Sequence, residues 1–330
     1  MIQHGARTHD RASGSGGDVP VGTPDRTRRE LERIAPGAVL EHEPMARHTS
    51  FGLGGPADLY VEPLHREALR DTLAFLRVEG TPTLVLGRGT NLLVRDGGIE
   101  GVVVSTAKAL RDIEVAGNGM VAGAGAPLSR VIVRAAEAGL AGLEPLSGIP
   151  GSVGGAVRMN AGSFGAAIGD LVERLELFFE GTPSMLEAGA VGFSYRDTEL
   201  PEDAVVERVR LRLAPDDPDD ISRRGREFVE RKWRTQPSGM RSAGCVFRNP
   251  EGVSAGQLID EAGLKGLRIG GAVVSDLHAN YIVNDRGATA SDVEDLIETV
   301  RRLVDERAGV ALELEVRIVG RPASSERSSA

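Results

Sequence analysis

Residues 143–165 constrain this chain more than any other stretch. Glycines at 148, 151, 154, 155, 162 and 165 alternate there with small and apolar residues, and one arginine, Arg158, stands among them. Glycine loses more backbone freedom on folding than any other residue and offers no side chain to pack. So many in one apolar run imply a backbone pressed against something flat or phosphorylated. A charged residue in such a run needs a charged partner, because an unpaired buried guanidinium is very costly. Arg158 is therefore a candidate to meet an anionic substrate.

A chain of 330 residues has room for two or three domains with real cores. No run of about 18 apolar residues exists, so no membrane-spanning helix is expected. The start, Met1 to Arg7, lacks the apolar segment of a secretory signal, and a cytoplasmic location is the expectation. The single cysteine, Cys245, excludes an intrachain disulfide framework and a multi-cysteine metal site, and no metal is expected. A net charge of −9 disfavours a nucleic-acid binder, and no nucleic-acid partner is expected. An anionic ligand would need a locally basic site. Arg231, Lys232 and Arg234, with Arg241 and Arg248 nearby, could supply one, although Arg231 and Lys232 read more simply as a solvated helix end.

Residues 1–27 and 321–330 are too polar to order themselves and read as disordered tails. Between them helix and strand signals alternate. Helical faces run from Pro63 through Leu76, through Leu128 to Ala135, over Ile221–Trp233 and over Ser254–Ala262. Strand patterns fall at Thr83–Leu86, Gly101–Ser105, Leu171–Phe179, Val205–Leu213 and Ala311–Val319. Ser291 and Glu294 have the spacing of a capping box at the start of a last helix. This order reads as α+β, not as a doubly wound parallel sheet. The acidic, proline-bearing stretch Pro215–Asp220 is the clearest internal boundary.

Gly87-Arg88-Gly89-Thr90-Asn91 follows an apolar strand. Its two glycines allow turns that aim several backbone N–H groups into one concavity, a nest for phosphate oxygens, with Thr90 and Asn91 as added side-chain donors. It is neither a dinucleotide fingerprint nor a P-loop. Ile149 to Gly155 can offer a flat apolar wall. Cys245 sits in a small-residue turn, where a free cysteine is usually a buried hydrophobe. In the last strand, period two sets Glu313, Glu315 and Arg317 on one face. His278 carries no assignment.

Taken together, these segments resemble the UDP-N-acetylenolpyruvoylglucosamine reductase (MurB) family of peptidoglycan synthesis. The resemblance rests on the glycine run and on four further blocks in order: Thr49–Asp58, Leu86–Val94, Ser242–Pro250 and Leu314–Arg317. Tyr195-Arg196-Asp197 and Leu258–Gly266 lie between them. It spans roughly residues 37 to 320. It implies a two-lobed FAD-binding domain of the vanillyl-alcohol-oxidase type, with lobes at 28–106 and 107–214, followed by a smaller α+β substrate domain at 215–320.

The resemblance further implies FAD held by Phe51, Gly87, Arg88, Gly89, Thr90, Asn91, Leu92, Ile149, Pro150, Gly151, Ser152, Val153, Gly154, Gly155, Asn160 and Ala161. Position 88 usually carries glycine in the family, so Arg88 is a departure. Tyr195, Arg196 and Asn249 match substrate-binding positions. Cys245, where the family usually has serine, matches the general acid, and Glu315 matches the catalytic carboxyl, with Arg158 as the cation that stabilises the developing enolate. NADPH would reduce FAD and leave, and the enolpyruvyl ether of UDP-N-acetylglucosamine would then be reduced to UDP-N-acetylmuramate. A thiol with an ordinary pKa of about 8.5 keeps its proton near neutrality and gives it up more readily than a hydroxyl. Tyrosine occurs only at 60, 195 and 281, and no insertion is evident between Glu261 and Glu294, which resembles the family variant without a tyrosine-bearing loop. The alternatives are an FAD-linked sugar or alcohol oxidase of the same superfamily and a non-catalytic nucleotide- or sugar-binding protein.

Overall fold

The computed structural model describes residues 24–323. The expected tails therefore lie mostly outside the described residues, but the first ends earlier than expected. A helix runs from Pro24 to Ile34, with Thr27 and Leu31 buried. Apolar residues too sparse to register as a periodic pattern are enough once they dock on a neighbour. At the other end Arg321 donates to the Gly98 carbonyl and its guanidinium meets Asp58 at 2.7 Å.

The first lobe is a four-stranded sheet in the spatial order Val39–Pro44, Pro56–Val61, Ile99–Ser105, Thr83–Leu86. The last three strands are parallel and the first pairs antiparallel. The helix Arg66–Val78 supplies the crossover; it starts a turn later than the apolar pattern, after Pro63. The second lobe is a five-stranded antiparallel sheet in the order Thr182–Glu187, Val172–Phe179, Val205–Arg212, Gly119–Gly123, Ile113–Val115. Helix Leu128–Glu137 lies against it. One large buried cluster, including Leu59, Val102, Leu128, Leu146, Val153, Leu175 and Val209, joins the two lobes.

The stretch Pro215–Asp220 is a turn but not the point where the chain leaves the second lobe. Asp217 caps the helix Pro218–Thr235 by accepting from the backbone of Asp219 and Asp220. That helix packs on Leu128–Glu137 and on the turn Glu144–Leu146, and Arg224 reaches Glu144 at 2.7 Å. It belongs by contact to the second lobe, because its apolar and basic stripe finds its partners there.

The C-terminal part packs the helices Ala255–Glu261 and Ala290–Ala308 on a three-stranded sheet, Arg268–Ile269, Ala272–Val274 and Ile282–Asn284. Phe51, Leu53 and Leu93 of the first lobe enter its core. The capping box sits two residues earlier than expected: Thr289 and Asp292 cap each other's backbone. Ser291 and Glu294 are instead drawn across the domain junction, Ser291 to Asp96 at 2.8 Å and Glu294 to Arg95 at 3.0 Å. The expected strand Ala311–Val319 is shorter than its alternation implied. Only Arg317–Val319 forms a ladder, parallel to Leu92–Val94, and Leu314 makes a single bridge to Phe247.

Candidate active site

The nest and the glycine wall face each other. Strand Thr83–Leu86 delivers Gly87 to Asn91, whose five consecutive backbone N–H groups have no hydrogen-bond acceptor among the described residues. Unpaired donors in a concavity call for an anion or water. Gly89 is left-handed (φ 58°), and a Cβ there would lie 2.0 Å from the His48 carbonyl oxygen. A Cβ on Gly87 would lie 2.3 Å from Ser152 Oγ, so only glycine lets the two loops approach this closely. The wall continues into a short helix, Val153–Arg158, capped by Ser152 accepting from Gly155 N–H. Gly154 packs on Ala124.

Between the lobes lies a cleft of about 370 Å³, lined by residues from Thr83–Gly87, by Thr106, Ser152, Gly154, Gly155 and Val206, and by Arg158 and Arg317. Unpaired N–H donors, a small-residue wall and an adjoining cleft of this kind fit a dinucleotide such as FAD.

Several residues expected to touch a cofactor also make contacts within the protein. Phe51 is fully buried in the C-terminal core. Asn160 is buried, accepts from Gly169 N–H and donates to the Ser194 carbonyl, which holds the wall to the strand before Tyr195. Thr90 Oγ1 donates to the Pro150 carbonyl at 3.4 Å. The amide of Asn91 donates to the Glu315 carbonyl at 2.9 Å. The nest therefore presents backbone donors rather than these side chains. Arg88 is exposed, while Val153 is fully buried. Ile149, Gly151 and Leu92 are half-buried, Pro150 is exposed, and Ala161 packs at the edge of the main core.

Arg158 lines the cleft beside Arg317. It is the last residue of its helix, and its guanidinium donates to four carbonyls, those of Leu200, Pro201, Glu202 and Ala204. Its burial, and then the charge of Arg317, depress its pKa. An arginine at a helix C-terminus that satisfies a turn's carbonyls is a structural pin.

The cation at the carboxyl is Arg196. Its Nε lies 3.0 Å from Glu315 Oε1, and its Nη1 donates to the Gly162 carbonyl. Its neighbour Asp197, the obvious partner in sequence, instead accepts from Thr198 N–H. Arg196 is one of few non-glycine residues with positive φ (57°), a strained backbone of the kind that persists where the surroundings fix it. Tyr195 is exposed beside it, and its hydroxyl accepts from Asn249 N–H at 3.4 Å. The Asn249 side chain accepts from Ala255 N–H and so shapes a turn.

Glu315 is 14% exposed, and burial raises its pKa against the opposing pull of Arg196 and Arg248. Glu313, by contrast, is exposed. Glu315 N–H donates to the Val246 carbonyl, so the last segment and the cysteine turn are pinned side by side. Burial, then the nearby charge of Glu315, push the Cys245 thiol up to about 12, with Arg196 and the Tyr281 hydroxyl pulling the other way. A thiol with that pKa keeps its proton throughout the neutral range.

Three contributors were missed in the sequence. The Tyr281 hydroxyl lies close enough to the thiol to pull its pKa down, and His278 packs edge-on against the Tyr281 ring at 4.9 Å. Nothing local marks Tyr281, which reaches Cys245 only through the C-terminal sheet. Lys232, read as solvated, is 5% exposed, and burial pulls its pKa down to about 8. Its amine lies 5.7 Å from the centre of the Phe164 ring, and its stem packs on Gly148. The helical spacing alone could not reveal the Gly162–Ala167 hairpin that covers it.

Residues 236–319 match the family model for the UDP-N-acetylenolpyruvoylglucosamine reductase C-terminal domain, and residues 57–187 match an FAD binding domain. The chain belongs to the UDP-N-acetylenolpyruvoylglucosamine reductase family. It is 46% identical over 297 residues to the reductase of Geobacter metallireducens, covering 89% of this chain and 97% of that one. It is 42% identical to the reductase of Anoxybacillus flavithermus, with 90% and 99% covered. The crystal structure of the reductase from Thermus caldophilus superposes with a TM-score of 0.75 at 39% identity, covering 86% of this chain and 98% of that one. As a member of this family the chain is an FAD-dependent oxidoreductase that uses NADPH to reduce the enolpyruvyl ether of a UDP-sugar in peptidoglycan precursor synthesis. The C-terminal match begins just after the helix Pro218–Thr235, in line with that helix's contacts to the second lobe.

Proposed function

We propose that Cys245, Glu315 and Arg196 are the chemical centre of this reductase, and that Arg158 is a structural pin. The observation that carries this reading is the ion pair between Arg196 and Glu315 beside a thiol that Glu315 helps to keep protonated. The backbone donors of Gly87–Asn91 would hold FAD against Ser152–Gly155, and the bound flavin would supply hydride drawn from NADPH.

The chain's own residues then manage charge and protons. Hydride addition to the terminal vinyl carbon places negative charge on the adjacent carbon and its carboxylate. Arg196 meets that charge as a fixed cation, and Glu315 holds the guanidinium in place through their ion pair. Cys245 Sγ gives its proton to the carbon bearing the ether oxygen. Arg196 and the Tyr281 hydroxyl stabilise the thiolate that remains until solvent reprotonates it. Tyr195 and Asn249 line the approach, and exposed Tyr195 takes the place of a loop-borne tyrosine.

Cytoplasmic location is part of this proposal. Among the described residues no helix is long and apolar enough to cross a membrane.

The test separates the two half-reactions. In Cys245→Ala, NADPH bleaches the flavin at the wild-type rate, but the enolpyruvyl sugar fails to restore it. Cys245→Ser retains turnover. Wild-type turnover in Cys245→Ala would overturn the acid assignment.

A further inference from the structure

One contact joins the cofactor loop to the chemical centre. Asn91 closes the loop Gly87–Asn91, and its side-chain amide donates to the Glu315 carbonyl at 2.9 Å. Its own carbonyl accepts from Arg317 N–H at 3.0 Å. Asn91 thus grips the backbone on both sides of Val316, just before the ladder between Leu92–Val94 and Arg317–Val319 begins. The same loop reaches the cysteine turn by a second route. Ser50 N–H donates to the Gly89 carbonyl, and Ser50 Oγ donates to the Ser242 carbonyl at 2.6 Å, shortly before Cys245.

We infer that Asn91 is a positioning residue that sets Glu315 in register with the cofactor loop, rather than a ligand of the cofactor phosphates. The geometry assigns its side-chain amide to a carbonyl 224 residues away, while the backbone N–H groups of its loop stay free for the anion. Glu315 lies outside the paired ladder, so this amide and the Val246 carbonyl are what fix its backbone. Misplacing a catalytic group by about 1 Å costs roughly a hundredfold in rate. Without the amide, Glu315 drifts relative to the loop that seats the flavin. The inference rests on the proposed role of Glu315.

The test uses the FAD-loaded full chain under anaerobic stopped flow, with Asn91→Ala, the isosteric Asn91→Asp, Glu315→Gln and the double variant Asn91→Ala/Glu315→Gln. Asn91→Ala should retain FAD within a few-fold of wild-type affinity and be reduced by NADPH at the wild-type rate, and Asn91→Asp, which adds a carboxylate to the anion nest, is read by its reoxidation rate at saturating FAD. Reoxidation by the enolpyruvyl sugar should slow by roughly 10- to 100-fold. In the Glu315→Gln background the Asn91→Ala change should add almost nothing, since both act through one group. Loss of FAD affinity together with both half-reactions, or a full multiplicative loss in the double variant, would overturn the inference. Asn91→Asp keeps the shape without the donor, so a wild-type rate in that variant would overturn it too. Wild-type reoxidation in Glu315→Gln alone would instead remove the reading of Glu315 on which the inference stands.

Discussion

The proton on Cys245 can be followed directly by alkylation. An ordinary thiol titrates at about 8.5, and burial pushes Cys245 up to about 12. At pH 8 the first is about one-quarter thiolate and the second about one ten-thousandth, so the reactive fraction differs by at least a thousandfold. Iodoacetamide should therefore modify the native protein at pH 8 at least a thousand times more slowly than the urea-unfolded chain. Shielding of the sulfur could slow the reaction as well, but it lowers the whole curve without moving its inflection. The decisive readout is the pH profile, measured by intact mass at intervals from pH 7 to 11. The logarithm of the native rate should climb with unit slope through pH 10, where an unfolded thiol has already levelled off. Linkage has the same sign: the native pKa is raised, so the stability tied to this group is complete below about pH 8.5 and declines as pH rises toward 12. A native rate that levels off near pH 9 would refute both the burial of the thiol and the influence of Glu315 on it.

Three further outcomes follow from the placement of two arginines and a glycine. Arg196→Met should abolish reoxidation by the enolpyruvyl sugar and also lower the melting temperature, because it leaves the Glu315 carboxylate buried without its partner. Arg158→Met should retain reoxidation while costing on the order of 2 kcal/mol of stability by stripping donors from part-buried carbonyls, as read by thermal or urea unfolding. Gly87→Ala should weaken FAD retention at least tenfold in equilibrium dialysis, because its methyl group would meet Ser152 Oγ and part the nest from the wall.

Some of this architecture could be read in the sequence because local pattern and tertiary environment agreed. The strand Thr83–Leu86 and the helix Leu128–Glu137 carry periodicities that their packing uses directly. The strong pull of glycine toward close approach was likewise legible at Gly87 and Gly89. Other elements depended on partners distant in sequence. Thr289 won the capping position from Ser291 because Asp96, far back in the first lobe, claimed the Ser291 hydroxyl and N–H. The helix Pro218–Thr235 packs on the second lobe, a contact that the acidic, proline-bearing turn before it does not reveal. Arg158 stood out because a charge in a glycine run demands a partner, and it has one. That partner is a set of backbone carbonyls, which no residue-type pattern announces. Tyr281 and Lys232 acquired their roles only when a sheet and a hairpin closed over them.

The central claim is that this chain passes hydride from NADPH through FAD to an enolpyruvyl sugar at the Cys245–Glu315–Arg196 centre. An anaerobic absorbance titration of the purified protein tests it in one cuvette. Flavin bands should be present, bleach with NADPH, and return on adding the enolpyruvyl ether of UDP-N-acetylglucosamine. Bands that bleach but return only when air is admitted would point to an oxidase and contradict the account. Protein without flavin bands even after incubation with FAD would contradict it as well.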